Sequence, residues 1–428
     1  MEGDRMTEVL NKIPQKRWVR IIPPTILVYI FGFMDRTNIG FAMAGGMNEA
    51  LQMTATLSGL AAGIFFIGYM ILQVPGGALA QAGHAKKFIA VSILAWSLMC
   101  VLLGFVDTAA HLLILRFLIG VAEGGVWPAI LVVISHWFPA DERGRANSYF
   151  IMNIAIASII TGPISGYLVT EYGWRYVFIV EGLVSFLLIF VWWPMISEHP
   201  ADAKWISKEE REYLEEKLSK EQAELNQETG SKASLKTILG SLNMWKLILI
   251  YFCYQTGIYG FAMWLPTILR NLTSSGMTGI GFLSTLPYFA CIAGLYIFGH
   301  LSDKSGNRKK YVALPLLGFA ACFLASAFLQ EYTWVSFAFL VGCGLFLQCA
   351  SGIFWTIPTM LFPAKVAGGS LGIINALGNL GGFVGPFIVG WLTTQFMTVF
   401  AGVYFLAIML LCGCVITLTL PKKTEGKE

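Results

Sequence analysis

Charge is what this sequence has least of. Of its 428 residues only 25 are acidic and 29 basic. Charged residues thus make up 13% of the chain, against roughly 25% in a soluble globular protein. With 56% hydrophobic residues beside that shortage, an ordinary soluble domain is excluded. There is no glycine-rich phosphate loop, so a pump driven by ATP is excluded, and no HExxH zinc motif. Among the eight cysteines no pair has zinc or redox spacing, and all lie in apolar stretches, as small buried hydrophobes do. A nucleic-acid partner would require a clustered basic face on a soluble domain, and none is present. No nucleophile–base constellation suggests an enzyme.

What the sequence does have is long apolar runs. A membrane-spanning helix needs about 20 mostly apolar residues. By that rule twelve spans are expected, near 21–44, 57–81, 87–107, 110–137, 146–170, 176–197, 244–270, 278–301, 311–330, 333–361, 367–394 and 397–420. Runs of this length suit helices, since barrel strands need only about 10 alternating residues. No small-residue cleavage site precedes the first run, so it is read as a retained span. Lysine and arginine in the short connections set the orientation. Arg5, Lys12, Lys16, Arg17 and Arg20 precede span 1, Lys86 and Lys87 follow span 2, Arg143 and Arg145 follow span 4, and Lys304, Arg308, Lys309 and Lys310 follow span 8. The opposite side offers little beyond Arg175 and Arg270. Both termini are therefore expected on the cytoplasmic side of the plasma membrane, and the net charge of +4 mostly reflects this bias.

The chain also repeats itself. Gly40-Phe41-Ala42-Met43 recurs at Gly260-Phe261-Ala262-Met263. "GGALAQAGHAKK" resembles "GHLSDKSGNRKK", "FPA" at 138–140 returns at 362–364, and "GPISGYL" matches "GPFIVGWL". The offsets are 220, 222, 224 and 223 residues in the same order, which indicates a duplication of six spans. Three regions follow: a first six-span bundle over 1–197, a connector over 198–243, and a second bundle over 244–428. The connector opens with Ser207 and Glu210 in capping-box spacing. It reads as a short amphipathic helix followed by a flexible "NQETGSKAS" tether, and its composition is that of a solvated linker.

Two parallel six-span halves with a cytoplasmic link are the plan of the major facilitator transporters. "GHLSDKSGNRKK" resembles that superfamily's loop signature. "FMDRTNIGFA", "LLILRFLIGVAEGGVWP", "GWRYVFIVEG", "FWTIPTMLFP" and "INALGNLGGFVGP" resemble the anion:cation symporter family, which includes bacterial carriers of sugar acids and tartrate, the vesicular glutamate carriers and sialin. The similarity runs from about Arg20 to Leu420 and implies an all-α membrane protein with twelve helices in two pseudo-symmetric bundles. In the first loop copy, Gln81 and His84 replace the signature's Asp and Gly, so the usual cap and charge relay are not expected there.

Few ionisable groups lie inside the spans: Asp35 and Arg36 in span 1, Arg116 and Glu123 in span 4, and Glu181 in span 6. A charge in hydrocarbon is costly and marks a functional site by default. At 1.5 Å per residue, Asp35 and Arg116 fall near one level, and Glu123 lies two turns further along the face of Arg116. A chain of charges from Asp35 through Arg116 to Glu123 is expected. Arginine stays charged and presents a fork that matches a carboxylate. An anionic substrate can thus compete with a protein acid for it, and the displaced acid takes up a proton more readily. Glu123 and Asp35 are the candidate proton carriers with Arg116 as their partner, and Arg36 is the candidate anchor for the anion. The resemblance implies the same division, arginine to substrate and acids to protons. Glu181 reads as a brace.

Neutral candidates for substrate contact are Tyr69, Gln255, Tyr259, Trp355 and Asn375, with Trp127 and Trp264 suggesting room for a ring. Asp141, Arg143, Arg145, Asp303 and Arg308 form cytoplasmic charge clusters; in the superfamily such clusters latch one transport state. The reading that results is a monomeric carrier importing a small organic carboxylate with protons, with no cofactor beyond the coupling ion. An anion exchanger, a multidrug exporter and a membrane sensor of the same fold are the alternatives.

Overall fold

A computed structural model describes residues 15–227, 239–362 and 364–421. All regular structure in the described residues is helical. Eleven stretches among them are long and apolar enough to cross a membrane. One, Ala55–Leu103, has 49 residues and would be about 74 Å long as a single helix, more than twice a hydrocarbon core. It is two crossings joined through Ala80–His84, where Gly83 adopts φ +80° and lets the chain turn back. Twelve crossings result, as the sequence predicts.

Span 1 is Lys16–Thr37 with Ile39–Ala42, span 2 Ala55–Leu79, span 3 Ala85–Leu103, and span 4 Ala109–Glu123 with Val126–Trp137. Span 5 is Ala140–Ile151 with Asn153–Tyr172, and span 6 Trp174–Leu187 with Ile189–Met195. The second bundle comprises span 7 Leu242–Leu272, span 8 Met277–Leu283 with Leu286–Ser305, span 9 Arg308–Phe328 and span 10 Thr333–Leu347 with Cys349–Phe354. Span 11 is Ala364–Gly378 with Gly381–Phe396, and span 12 is Phe400–Leu418. Side-chain caps start several of them. Thr54 accepts from Leu57 N–H, Thr108 from His111 N–H and Asn307 from Lys310 N–H. At span 3 the cap comes from a distance. Glu198, beyond span 6, accepts from the N–H groups of Ala85 and Lys86 at 2.8 and 2.9 Å. A carboxylate at a helix N-terminus is the favourable sign, so Glu198 caps the helix that Gln81 and His84 leave without a local acid.

The bundles meet through glycines. A Cβ on Gly40 would lie 2.5 Å from the Met263 carbonyl, so the two copies of the repeated tetrapeptide pack on each other where spans 1 and 7 cross. On the face away from the connector, a Cβ on Gly162 would meet the Gly281 carbonyl, and one on Gly59 or Gly63 would meet the backbone of span 11. Small residues let helix backbones approach this closely. Polar contacts on that far face join the same elements. Thr56 Oγ1 lies 2.8 Å from Thr394 Oγ1 and Thr170 Oγ1 2.8 Å from Thr278 Oγ1, and Arg270 donates to the Ala44 carbonyl. The far face is closed.

The connector departs from the expected solvated linker. Its helix, Lys208–Gln227, is anchored by Arg17, the buried second residue of span 1. The Arg17 guanidinium donates to Glu210 at 2.7 Å and to Glu142 at 2.6 Å, and all three are buried. Tyr213 donates to the other Glu142 oxygen at 3.2 Å. Half of the expected capping box forms: Ser207 Oγ accepts from Glu210 N–H, while the Glu210 carboxylate is taken by Arg17. Burial and the Glu142 carboxylate hold the Tyr213 hydroxyl well above its ordinary pKa, so it remains a donor. The expected tether lies almost wholly outside the described residues.

Two outcomes follow from these contacts. Arg17→Ala leaves two buried carboxylates facing each other without a cation, a loss of about 3–5 kcal/mol for a broken buried pair. It should lower the unfolding temperature in detergent and expose the connector helix to trypsin. On the far face, cysteines at Thr170 and Thr278 should be joined by a short bifunctional thiol reagent, detected by resistance of the protein to separation after cleavage of the connector. Failure to cross-link would mean that the far face is open in solution.

Candidate functional site

Arg36 stands at the centre of the molecule. It follows Asp35 near the end of the first segment of span 1, and its backbone lies where the helix is interrupted between Thr37 and Ile39. The last carbonyls of a helix lack intrahelical partners. Here Arg116 of span 4 supplies the donors. Its guanidinium donates to the Asp35 carbonyl at 2.9 Å, the Arg36 carbonyl at 3.2 Å and the Ala61 carbonyl of span 2 at 3.3 Å. Arg116 is fully buried. This corrects the expected chain of charges: Arg116 meets span 1 through its backbone, and the Asp35 carboxylate points elsewhere.

The side chain of Arg36 reaches the ion-pair partner that was expected to face Arg116. Its Nη2 donates to Glu123 Oε2 at 3.2 Å, and its Nη1 donates to the Tyr259 hydroxyl of span 7 at 3.2 Å. One guanidinium therefore touches both bundles. Around it stand the rings of Tyr69, Phe65, Tyr29 and Phe33, at 4.7, 5.1, 5.7 and 5.9 Å from the guanidinium carbon. Such faces stabilise a desolvated cation. The Tyr29 and Tyr69 hydroxyls lie 3.4 Å apart. Neither Arg36 Nε nor Glu123 Oε1 has a hydrogen-bond partner among the described residues. The pair is thus loosely made, with donor and acceptor capacity to spare.

Asp35 sits behind this pair, inside the first bundle. Its oxygens accept from the Cys100 thiol of span 3 at 3.3 Å and the Ser185 hydroxyl of span 6 at 3.1 Å. Glu181 accepts from Ser165 at 2.7 Å and from the Asn38 amide at 3.0 Å, which braces spans 1, 5 and 6 as expected. Cys100 is thus more than the small hydrophobe that composition suggests. The sequence reading also missed Tyr29, Ser185 and Gln73. Only the charged positions stand out against an apolar background; a tyrosine, serine or glutamine in a span does not.

On the second bundle the amides form a line. Gln255 donates to Asn379 at 2.8 Å, Asn379 donates to Asn375 at 3.0 Å, and Asn375 donates across to Gln73 of span 2 at 3.0 Å. Gln73 lies one turn from Tyr69 towards the connector face, so this amide pair crosses between the bundles on the connector side of Arg36. Trp355 packs edge-on to Tyr251 with ring centroids 4.8 Å apart, and Trp127 packs on Tyr29 at 4.8 Å. Trp264 does not line this region. It is buried and donates to the Pro386 carbonyl at 3.1 Å, tying span 7 to span 11.

The connector-face charges of the first bundle pair with the connector helix and span 1. Arg143 forks onto Glu221 of the connector helix at 2.8 and 3.1 Å, Asp141 accepts from Lys217 at 3.4 Å, and Arg145 lies over the Trp18 ring at 4.3 Å. Arg308 donates to Ser302 at 2.8 Å. The side chain of Asp303 lies outside those described. No cluster of three or more metal-ligating side chains occurs among the described residues.

Comparison with known proteins agrees with this architecture. The chain is 33% identical over 435 residues to a putative tartrate transporter of Agrobacterium vitis, covering 99% of this chain and 96% of that one. It is 32% identical to a quinolone resistance transporter of Acinetobacter baumannii, over 96% and 95% of the two chains. In three dimensions it resembles a bacterial homologue of the lysosomal transporter Spinster in an inward-facing, unoccupied conformation. That similarity has a TM-score of 0.74 at 16% identity and covers 95% of each chain. The sequence pattern of the Major Facilitator Superfamily matches residues 25–385 and again 272–428, and the chain belongs to that superfamily.

Proposed function

We propose that this protein imports a small organic carboxylate together with protons, by alternating access between its two bundles. The observation that carries the reading is the buried pair of Arg36 and Glu123, held at 3.2 Å and shared with Tyr259 of the second bundle. A substrate carboxylate can take the Arg36 fork in place of Glu123, since the fork is matched to a planar anion. The relative named as a putative tartrate transporter supports an organic acid as substrate. The amide line of Gln255, Asn379 and Asn375 offers donors and acceptors to the rest of such a molecule.

Charge counting supplies the coupling. The first bundle buries three acids, Asp35, Glu123 and Glu181, and two guanidinium groups in its membrane interior, those of Arg36 and Arg116. One bound proton makes this set neutral, and each further anion brought into it needs another. Burying an uncompensated charge in a low dielectric is costly, so anion and proton favour each other's binding. Glu123, which the substrate displaces from Arg36, is assigned the coupled proton, and Asp35, held only by neutral donors, a second site. The connector face is assigned to the cytoplasm by its lysines and arginines. With the far face closed and Gln73 and Asn375 still joined on the connector side of Arg36, the arrangement is read as an occluded, inward-leaning state, in which the latch residues Asp141, Arg143 and Arg145 pair with the connector helix and span 1.

The test is uptake into proteoliposomes loaded with a pH-sensitive dye. Adding the transported acid outside should acidify the lumen. Glu123→Gln should still bind substrate, with less dependence on pH, and should exchange labelled for unlabelled substrate, but should lose uphill accumulation. Intact proton-driven accumulation by that variant would refute the assignment. Movement of substrate only outward would favour an exporter, the reading that the quinolone resistance relative supports.

Arg36→Lys keeps the charge but not the fork, and should weaken substrate binding by tenfold or more, an order of magnitude that corresponds to about 1.4 kcal/mol. Calorimetry or ligand-induced thermal shift would read it. Unchanged affinity would move the anchor away from Arg36.

A further inference from the structure

We propose that the crevice between spans 9 and 12 on the connector face is a binding site for one anionic phospholipid. It has a volume of about 300 Å³ and is lined by Lys309, Lys310, Leu314, Leu317, Cys414 and Leu418 among others. It is an open groove on the outer surface of the bundle. Its walls differ by level. Lys309 and Lys310 are the second and third residues of span 9 and form a cationic rim. Leu314 and Leu317 follow Lys310 by four and seven residues, so they lie about 6 and 10 Å deeper along the helix. Leu418 faces them from the last turn of span 12. These leucines are 39%, 46% and 54% exposed, as side chains that face hydrocarbon are.

The occupant must therefore carry an anion at the first turn of span 9 and an apolar chain running two turns into the bilayer. A free phosphate satisfies the rim alone, and a zwitterionic lipid adds a cation beside the lysines. An anionic phospholipid satisfies both. Its seat is already organised: Lys309 donates to the Leu420 carbonyl at 3.2 Å and Lys246 of span 7 donates to the Thr419 carbonyl at 2.8 Å. Two lysines thus meet at the end of span 12. Lys310, exposed at the mouth with its ammonium 5.7 Å from the Tyr311 ring, completes the electrostatic side of the site with Lys309. Basic pockets between transmembrane helices recognise anionic headgroups in this way. The site lies on the outer wall of the second bundle, away from Arg36, and does not depend on the transported substrate.

Native mass spectrometry of the full chain in detergent tests it, with dioleoylphosphatidylglycerol, dioleoylphosphatidylcholine and glycerol 3-phosphate as probes. One phosphatidylglycerol should be retained more tightly than phosphatidylcholine. Lys310→Gln, which leaves the Lys309–Leu420 contact in place, should weaken it about fivefold, and Lys309→Gln with Lys310→Gln about twenty-five-fold. Leu317→Trp fills the crevice with the charges intact and should also displace the lipid. Glycerol 3-phosphate should not compete at equal concentration. Unchanged phosphatidylglycerol binding in the double lysine variant or in Leu317→Trp, equal retention of phosphatidylcholine, or competition by glycerol 3-phosphate would each overturn the proposal.

Discussion

The centre of this protein is organised by the need to house two guanidinium groups in an apolar bundle. A buried charge without partners is untenable, and the two arginines meet that need differently. Arg116 takes three backbone carbonyls, two of them freed where span 1 is interrupted after Thr37, and so becomes part of the framework. Arg36 is left with one carboxylate oxygen, one tyrosine hydroxyl of the other bundle and a ring of aromatic faces. The first arginine fixes the backbone that presents the second. The presented group is the one with donor capacity to spare, since Arg36 Nε has no hydrogen-bond partner among the described residues.

Where the two bundles come closest, their contacts are made by small residues. Gly40 against Met263, Gly162 against Gly281 and Gly59 against span 11 bring backbones together. Larger side chains add to these contacts: Phe66 packs on Gly382 of span 11 and on the Tyr259 ring of span 7. The connector is fixed to one side of this arrangement. Arg17, Glu142 and Glu210 fasten its helix to the first bundle, and Arg143 and Asp141 extend the attachment. Through these contacts the connector helix is docked on the first bundle.

Much of the centre was legible in advance because charge is so rare in these spans. Asp35, Arg36, Arg116, Glu123 and Glu181 stand out in any reading of the apolar runs, and all five are buried together in the first bundle. Their pairing was not legible. Helical spacing places Glu123 on the face of Arg116, yet it is Arg36 that Glu123 meets. Spacing gives the direction of a side chain about its own helix; which neighbouring helix it meets depends on how the helices are tilted and where span 1 breaks. Tyr29, Cys100 and Gln73 were overlooked for a related reason, since an apolar or neutral residue acquires a polar role only when a partner is brought to it.

The sequence by itself determined the twelve crossings, the duplication, the charge bias between the two faces and the small set of buried ionisable groups. These are properties of composition and period, set by what a hydrocarbon core will accept from a single helix. Only the tertiary structure decided that Arg116 binds carbonyls, that the repeated tetrapeptides pack on each other, that Glu198 caps span 3 from 113 residues away, and that the connector is docked through Arg17. Each of these joins residues distant in the chain, and such contacts are fixed by packing between helices, which no local pattern encodes.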